Sequence, residues 1–353
     1  MTLTKTHDVP ATTAQIAALA SAGCEIVRVA VPKLEDAEAL PRIIRFSPVP
    51  IIADIHFNAS LALKAIEAGV AAVRINPGNI GGPDKVAEVV SAAKKAGIAM
   101  RIGANSGSLP KHLESLAQED QAAALVEAAL EEVRLLEQLD YYDFKISVKS
   151  SHVPTMIRAY RMLAGRVPYP LHLGVTEAGP PFTGSIKSAV GMGSLLADGI
   201  GDTIRVSLTA DPVEEVKVCW EILKALNLRE RGPVLIACPS CGRDNVGVQT
   251  LAEEVEDRLG AYEEHFEVAV LGCAVNGPGE SGDADFGIAG GRDVGFIYAH
   301  GKVLRKVESE LLIDELFNEI DGWIAVGMPR PERRKMAKPA ALAMAEASAI
   351  PLD

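Results

Sequence analysis

Two hydrophobic rhythms alternate along the first two-thirds of the chain. Ala-rich stretches with apolar residues three and four apart predict helices near residues 12–22, 34–45, 59–69, 83–96, 119–138, 154–164, 184–198 and 212–226. Between them lie short β-branched runs that predict strands. These are Glu25-Ile-Val-Arg28-Val-Ala-Val, Pro50-Ile-Ile-Ala-Asp54-Ile-His56, Ala71-Ala-Val-Arg74-Ile-Asn76 and Ile98-Ala-Met-Arg101-Ile-Gly. Three more follow: Asp143-Phe-Lys145-Ile-Ser-Val-Lys149, Leu171-His172-Leu-Gly-Val-Thr-Glu177 and Asp202-Thr-Ile-Arg205-Val-Ser207. Strict alternation of this kind predicts a parallel α/β architecture. The pattern holds seven strands and eight helices and begins on a helix. It reads as a (β/α)8 TIM-like barrel whose first strand is truncated; the alternative is that Met1–Thr6 are the remnant of that strand. Such a barrel is expected to have exposed edges and an incomplete core. An open doubly wound sheet is the second choice, but no Gly-rich dinucleotide fingerprint follows the first strand.

The rhythm changes after Leu226. A charged linker with Gly and Pro, Asn227 to Pro233, precedes a strand at Val234. A helix near 246–259, a strand at Phe266–Leu271, short strands near 285–289, 294–298 and 303–306, and a helix near 308–322 complete a small α/β domain. The expected boundaries are 1–228 for the barrel and 229–322 for the second domain. The Ala/Pro-rich stretch 323–353, with its Pro-Glu-Arg-Arg-Lys run, is expected to be a disordered tail.

Composition narrows the function. The 353 residues carry a net charge of −12, which disfavours a nucleic-acid or anionic-membrane partner. No apolar run approaches the roughly 20 residues that span a bilayer. The N-terminus lacks the apolar core of a secretory signal, and five cysteines in so long a chain suggest the reducing cytoplasm.

Against that acidic background, cations at strand positions are informative. Arg28, Arg74, Arg101 and Arg205 each stand between two apolar residues of a strand, and Lys149 ends another. Alternation sends such a side chain into a barrel while its neighbours pack against helices. Barrel active sites sit at the C-terminal strand ends. Asp54 and Glu177 cannot neutralise five cations converging on one mouth, so a polyanionic ligand is expected, most simply a diphosphate held by guanidinium groups. His56, Asn76, Asn105, Glu177 and Ser207 share that rim.

The second domain carries Cys238-Pro-Ser-Cys241-Gly-Arg, followed by Gly272-Cys273-Ala-Val-Asn276-Gly-Pro-Gly-Glu280. A C-x-x-C turn with a distant third cysteine in a Gly/Pro loop points to a metal centre, its fourth ligand open. A zinc site completed by His265 is one alternative. A non-redox barrel enzyme acting on a phosphorylated substrate is another. Cys24 and Cys219 read as small core residues.

Several long motifs in order carry a resemblance. They include Gly23-Cys-Glu-Ile-Val-Arg-Val-Ala-Val-Pro32, Ala53-Asp-Ile-His-Phe57, Arg74-Ile-Asn-Pro-Gly-Asn-Ile-Gly81, Ile146-Ser-Val-Lys-Ser-Ser151 and His172-Leu-Gly-Val-Thr-Glu-Ala-Gly179. Gly199-Ile-Gly-Asp-Thr-Ile-Arg-Val-Ser-Leu208 and Val275-Asn-Gly-Pro-Gly-Glu280 follow. From Met1 to about Glu319 the chain resembles the 4-hydroxy-3-methylbut-2-en-1-yl diphosphate synthases, iron–sulfur enzymes of non-mevalonate isoprenoid biosynthesis. The resemblance implies a [4Fe–4S] cluster held by Cys238, Cys241, Cys273 and Glu280, with Asn276 at the reacting end of the substrate. It implies substrate binding by Arg28, His56, Arg74, Arg101, Asn105, Lys149, Arg205 and Ser207, with Glu177 as an acid/base or hydroxyl anchor. The implied reaction is reductive ring opening and dehydration of 2-C-methyl-D-erythritol 2,4-cyclodiphosphate. The implied partners are ferredoxin or flavodoxin as electron donor and a second copy of the chain in a homodimer. Ala104 and Ser106 flank Asn105 where the family usually has Val and Ala, a mild departure.

Overall fold

The computed structural model describes residues 1–244, 246–273, 284–291 and 294–329. They fall into two compact units, Met1–Leu228 and the residues from Arg229 onward.

In the first unit strands and helices alternate as the periodicity predicts. The strands are β1 (Val27–Ala30), β2 (Ile51–Asp54), β3 (Ala72–Arg74), β4 (Ala99–Ile102), β5 (Phe144–Ile146), β6 (His172–Leu173) and β7 (Thr203–Ile204). The helices are α1 (Val9–Ser21), α2 (Leu34–Phe46), α3 (Ala59–Glu67), α4 (Pro83–Ala96), α5 (Glu114–Glu119), α6 (Gln121–Gln138), α7 (Val153–Ala164), α8 (Pro181–Ala197) and α9 (Pro212–Ala225). The stretch predicted as a helix near 119–138 thus has a separate short helix before it. Asp120 divides the two, its side chain accepting a hydrogen bond from the Ala123 N–H at 3.0 Å as the cap of α6.

Strands β1 to β5 pair in parallel and in chain order, and β6 pairs with β7. A parallel bridge between Ile146 and Leu171 joins the two sets. The order never reverses, which removes the doubly wound alternative with its switch point. Beyond β1, the Thr2 N–H donates to the Arg28 carbonyl at 3.1 Å, and the Thr6 hydroxyl donates to the Ala30 carbonyl. Met1 to Thr6 therefore run beside β1. On the helical side, α1 packs against α9, and the Trp220 indole N–H donates to the Gly23 carbonyl at 3.2 Å. Val27, Val29, Ala53, Val73, Met100 and Ile146 are fully buried between the strands and the helix layer. Their intervening positions are left to point inward.

In the second unit β8 (Val234–Ala237), β9 (Glu267–Leu271) and β10 (Phe286–Ala289) run parallel, and β11 (Val294–Ala299) and β12 (Lys302–Glu308) complete the sheet antiparallel. Helices α10 (Val248–Leu259) and α11 (Leu312–Ala325) pack against this sheet. The core is aromatic: Phe266, Phe286, Phe317 and Trp323 are buried, and Trp323 meets Phe286 edge-on at 5.2 Å. Trp323 belongs to this core, and its helix runs to Ala325, three residues past the expected boundary at 322. The rest of the expected tail, from residue 330, lies outside the described residues.

Candidate active site

Register explains how cations gather inside the barrel. Asp54 lies opposite Arg74, Arg74 opposite Arg101, and Arg101 opposite Lys145. Residues paired across neighbouring strands share a face, so these four side chains form one inward row. Arg28 lies opposite Ile52, two positions from Asp54 and on the same face. Lys149 is four residues beyond Lys145, with its N–H donating to the Ala104 carbonyl at 2.9 Å.

Two carboxylates answer part of this charge. Asp54 accepts from Arg74 Nη1 at 3.1 Å and lies 3.4 Å from Arg28 Nε. Burial pushes its carboxyl up, but the Arg28 and Arg74 guanidiniums outweigh that and hold it below its ordinary value. Glu215, from the first turn of α9, is buried and accepts from the Leu208 N–H at 3.0 Å. It stands 3.5 Å from Arg205 Nη2.

Arg101 and Lys149 are different. Both are buried, and among the described residues neither side chain makes a hydrogen bond or ion pair. The Nε atoms of Arg28, Arg101 and Arg205 are buried with no hydrogen-bond partner. Burial, then the neighbouring guanidiniums of Arg28 and Arg74, bring Arg101 down to about 9. Burial and the Arg101 charge push Lys149 well below its ordinary value. Burial also lowers Arg28, to about 10, with Arg205 and Arg74 adding to the effect against Asp54. Cations that destabilise one another in this way await an anion.

The rim residues surround this charge. His56 is more than half exposed, with its ring 3.4 Å from Arg74 Nη1 and 3.7 Å from Asp54. Asn105 bridges to Lys149 where β4 and β5 leave the sheet. Ser207 is half-buried just past β7. Glu177 is exposed beyond β6 and holds a left-handed φ of 52°, a conformation side-chain-bearing residues adopt at a cost. Asn76 is spent locally, its Oδ1 accepting from the Gly78 N–H at 2.9 Å.

Three residues escaped the sequence reading. Lys145 and His172 stand in Phe144-Lys-Ile146 and Leu171-His-Leu173, the same apolar–polar–apolar pattern that marked the four arginines. His172 is buried; its Nδ1 lies 2.8 Å from the Thr203 hydroxyl and its Nε2 has no partner. Burial, then Arg101 and Lys149, hold it well below its ordinary value and keep it neutral. Glu215 gave no signal, since only the tertiary fold buries it.

In the second unit the cysteines fall at one end of the parallel strands. Cys238 directly follows β8, and Cys273 comes two residues after β9. The Gly272 N–H donates to Cys238 Sγ at 3.2 Å, tying the two strand ends together. Asp244 fixes the C-x-x-C turn to the start of α10, accepting from the backbone N–H groups of Val246, Gly247 and Val248 at 2.9–3.1 Å. The Arg243 backbone N–H, then its side chain, bring the exposed Cys241 thiol below its ordinary value. A thiol eased toward its thiolate at Cys241, and an N–H aimed at the sulfur of Cys238, suit a soft metal centre. Among the described residues no three His, Cys, Asp or Glu side chains converge as a finished metal cage. Asn276 and Glu280 lie outside the described residues.

The same geometry removes the zinc site with His265. That residue precedes β9, eight positions before Cys273, and its Nδ1 lies 3.1 Å from the Gly232 carbonyl oxygen. A strand rises about 3.3 Å per residue, which sets His265 roughly 25 Å from the cysteine end.

Comparison with known proteins decides the family. The GcpE TIM-barrel domain matches residues 1–220, and the GcpE protein C-terminal domain matches residues 234–322. The chain belongs to the GcpE family. Among the GcpE relatives, the protein from Geobacter sulfurreducens is 56% identical over 91% of this chain and 91% of its own length. That from Maridesulfovibrio salexigens is 56% identical over 90% and 89%, and that from Geobacillus kaustophilus 54% over 91% and 86%. All three are named 4-hydroxy-3-methylbut-2-en-1-yl diphosphate synthase (flavodoxin). The GcpE assignment runs through both the cationic barrel and the cysteine-bearing unit.

Proposed function

We propose that this chain is a 4-hydroxy-3-methylbut-2-en-1-yl diphosphate synthase, an oxidoreductase of isoprenoid biosynthesis that takes electrons from flavodoxin. The observation that carries this reading from the residues is the pair of buried cations, Arg101 and Lys149, that have no anionic partner among the described residues. The substrate, 2-C-methyl-D-erythritol 2,4-cyclodiphosphate, supplies the missing negative charge. Its diphosphate lies against Arg101 and Lys149, with Arg28, Arg74 and Arg205 around it. Each charge-assisted hydrogen bond contributes about 1.5–3 kcal/mol. Asn105, Ser207 and His56 orient the sugar-derived part from the rim. Glu177 anchors a hydroxyl or moves a proton at the leaving oxygen.

A [4Fe–4S] cluster would be held by Cys238, Cys241 and Cys273 with Glu280 as fourth ligand, supplying electrons and a Lewis-acidic iron when bound. The net change takes up two electrons and two protons, opens the ring at a C–O bond and releases water. Asn276 helps to position the reacting end. The enzyme works in the cytoplasm as a homodimer. Among the described residues no helix is long and apolar enough to cross a membrane.

Anaerobically purified protein given reduced flavodoxin should convert the cyclodiphosphate to the linear allylic diphosphate, and should contain iron and sulfide. Iron-free protein that binds the substrate but needs no reductant for turnover would favour the non-redox barrel enzyme instead.

A further inference from the structure

The run from Ile102 to Ser106 carries the chain from Arg101 past Asn105, and three of its backbone groups pair with the residues just beyond β5. The Ser147 N–H donates to the Ile102 carbonyl at 3.0 Å, Lys149 N–H to Ala104 at 2.9 Å, and Ser106 N–H to Lys149 at 2.9 Å. Gly103 sits in the middle with φ of 140°, and a Cβ there would lie 1.8 Å from the Ser147 carbonyl oxygen. The Gly103 N–H turns instead to the helix layer. It donates to Glu132 Oε2, on α6, at 2.7 Å. The next residue back, Glu131, lies 2.7 Å from the ring of His112, so α6 also grips the far end of the same loop.

Glu132 has no role in the proposed chemistry and its side chain is half-buried. Burial outweighs its bond to Gly103 and the nearby Arg74, raising its carboxyl to about 7. A carboxyl kept in so unfavourable a place needs a reason, and the bond to Gly103 offers one.

We propose that Glu132 is a positioning residue. Through the Gly103 N–H it sets where the strand exit runs, and with it the Asn105 side chain and the Lys149 ammonium laced to the same backbone. The proposal rests on the diphosphate-binding reading above. Substitution separates acceptor from charge: Glu132→Gln keeps an oxygen for Gly103, while Glu132→Leu and Glu132→Met remove it at similar volume.

The test uses the anaerobically purified full chain. Calorimetry gives the affinity for the cyclodiphosphate, steady-state turnover gives KM and kcat, and the Gly103 amide signal in 15N-glycine-labelled protein reports the bond. The Leu and Met variants should bind about tenfold more weakly, with KM raised more than kcat is lowered, and the Gly103 proton should move upfield. Glu132→Gln should restore affinity to within about twofold and return the Gly103 signal. Three results would overturn the proposal. Folded Leu and Met variants could bind as tightly as wild type. Glu132→Gln could bind as weakly as Glu132→Leu. Leu and Met variants could both fail to fold while Gln behaves normally, which would make the bond merely structural. Wild-type protein that does not bind the cyclodiphosphate would instead count against the functional reading.

Discussion

The two units hold their reactive groups in opposite ways. The barrel carries a surplus of buried and half-buried charge, with Asp54 and Glu215 set against Arg28, Arg74, Arg101, Lys145, Lys149 and Arg205. The second unit keeps an aromatic core and places Cys238 and Cys273 past its strand ends, with the Gly272 N–H on the Cys238 sulfur. One site is built at the expense of fold stability, the other beside a core it hardly disturbs. Function and stability should therefore separate differently in the two units under mutation.

The sharpest break is Cys273→Ser. It should abolish reductive turnover and the iron content while leaving cyclodiphosphate affinity measurable by calorimetry. Affinity lost together with iron would mean that the barrel does not bind substrate by its own charge.

Next comes Lys149→Met. Removing one partner of a buried charged contact should weaken cyclodiphosphate binding about 100- to 1,000-fold, for about 3–4 kcal/mol. The substrate-free protein should melt higher than wild type, because an unpaired buried cation has gone. A lower melting temperature would show that Lys149 is already satisfied without substrate.

Trp323→Ala reverses that sign in the second unit. Loss of a core aromatic should cost about 3–5 kcal/mol in chemical unfolding. A cost below about 1 kcal/mol would put Trp323 outside the core.

The smallest effect is a pH dependence. Glu132 holds its proton more firmly folded, at about 7, than its ordinary value of 4.5. Its ionisation therefore weakens the fold as pH rises through that window, and below it the residue contributes nothing. Glu132→Gln should be more stable than wild type by about 1–3 kcal/mol at pH 8 and equal to it at pH 4, measured by urea unfolding. An equal difference at both values would remove the linkage.

Much of the barrel was legible because a strand between two layers must alternate. Val27-Arg28-Val29 and Met100-Arg101-Ile102 announce an inward cation by the company it keeps. Lys145 and His172 carry the same mark, but one stands inside β5 and the other opens β6, away from the strand ends where barrel sites lie. Pairing was not legible. Nothing in the first turn of α9 tells that Glu215 is buried against Arg205, or that α6 sends Glu132 to Gly103, since helix orientation around a barrel decides both. Nor was the burial of Trp323 legible, since it depends on Phe266 and Phe286, far back in the chain.

Asp54 has a further consequence, for how the barrel assembles. It bridges β1 and β3 from the strand between them, through Arg28 and Arg74. A slip of one residue in either pairing would set the carboxylate and that neighbour's arginine on opposite faces and leave that guanidinium without it. Misaligned barrels would thus be rejected early, by electrostatics, among short strands whose Val and Ile side chains offer many near-equivalent registers.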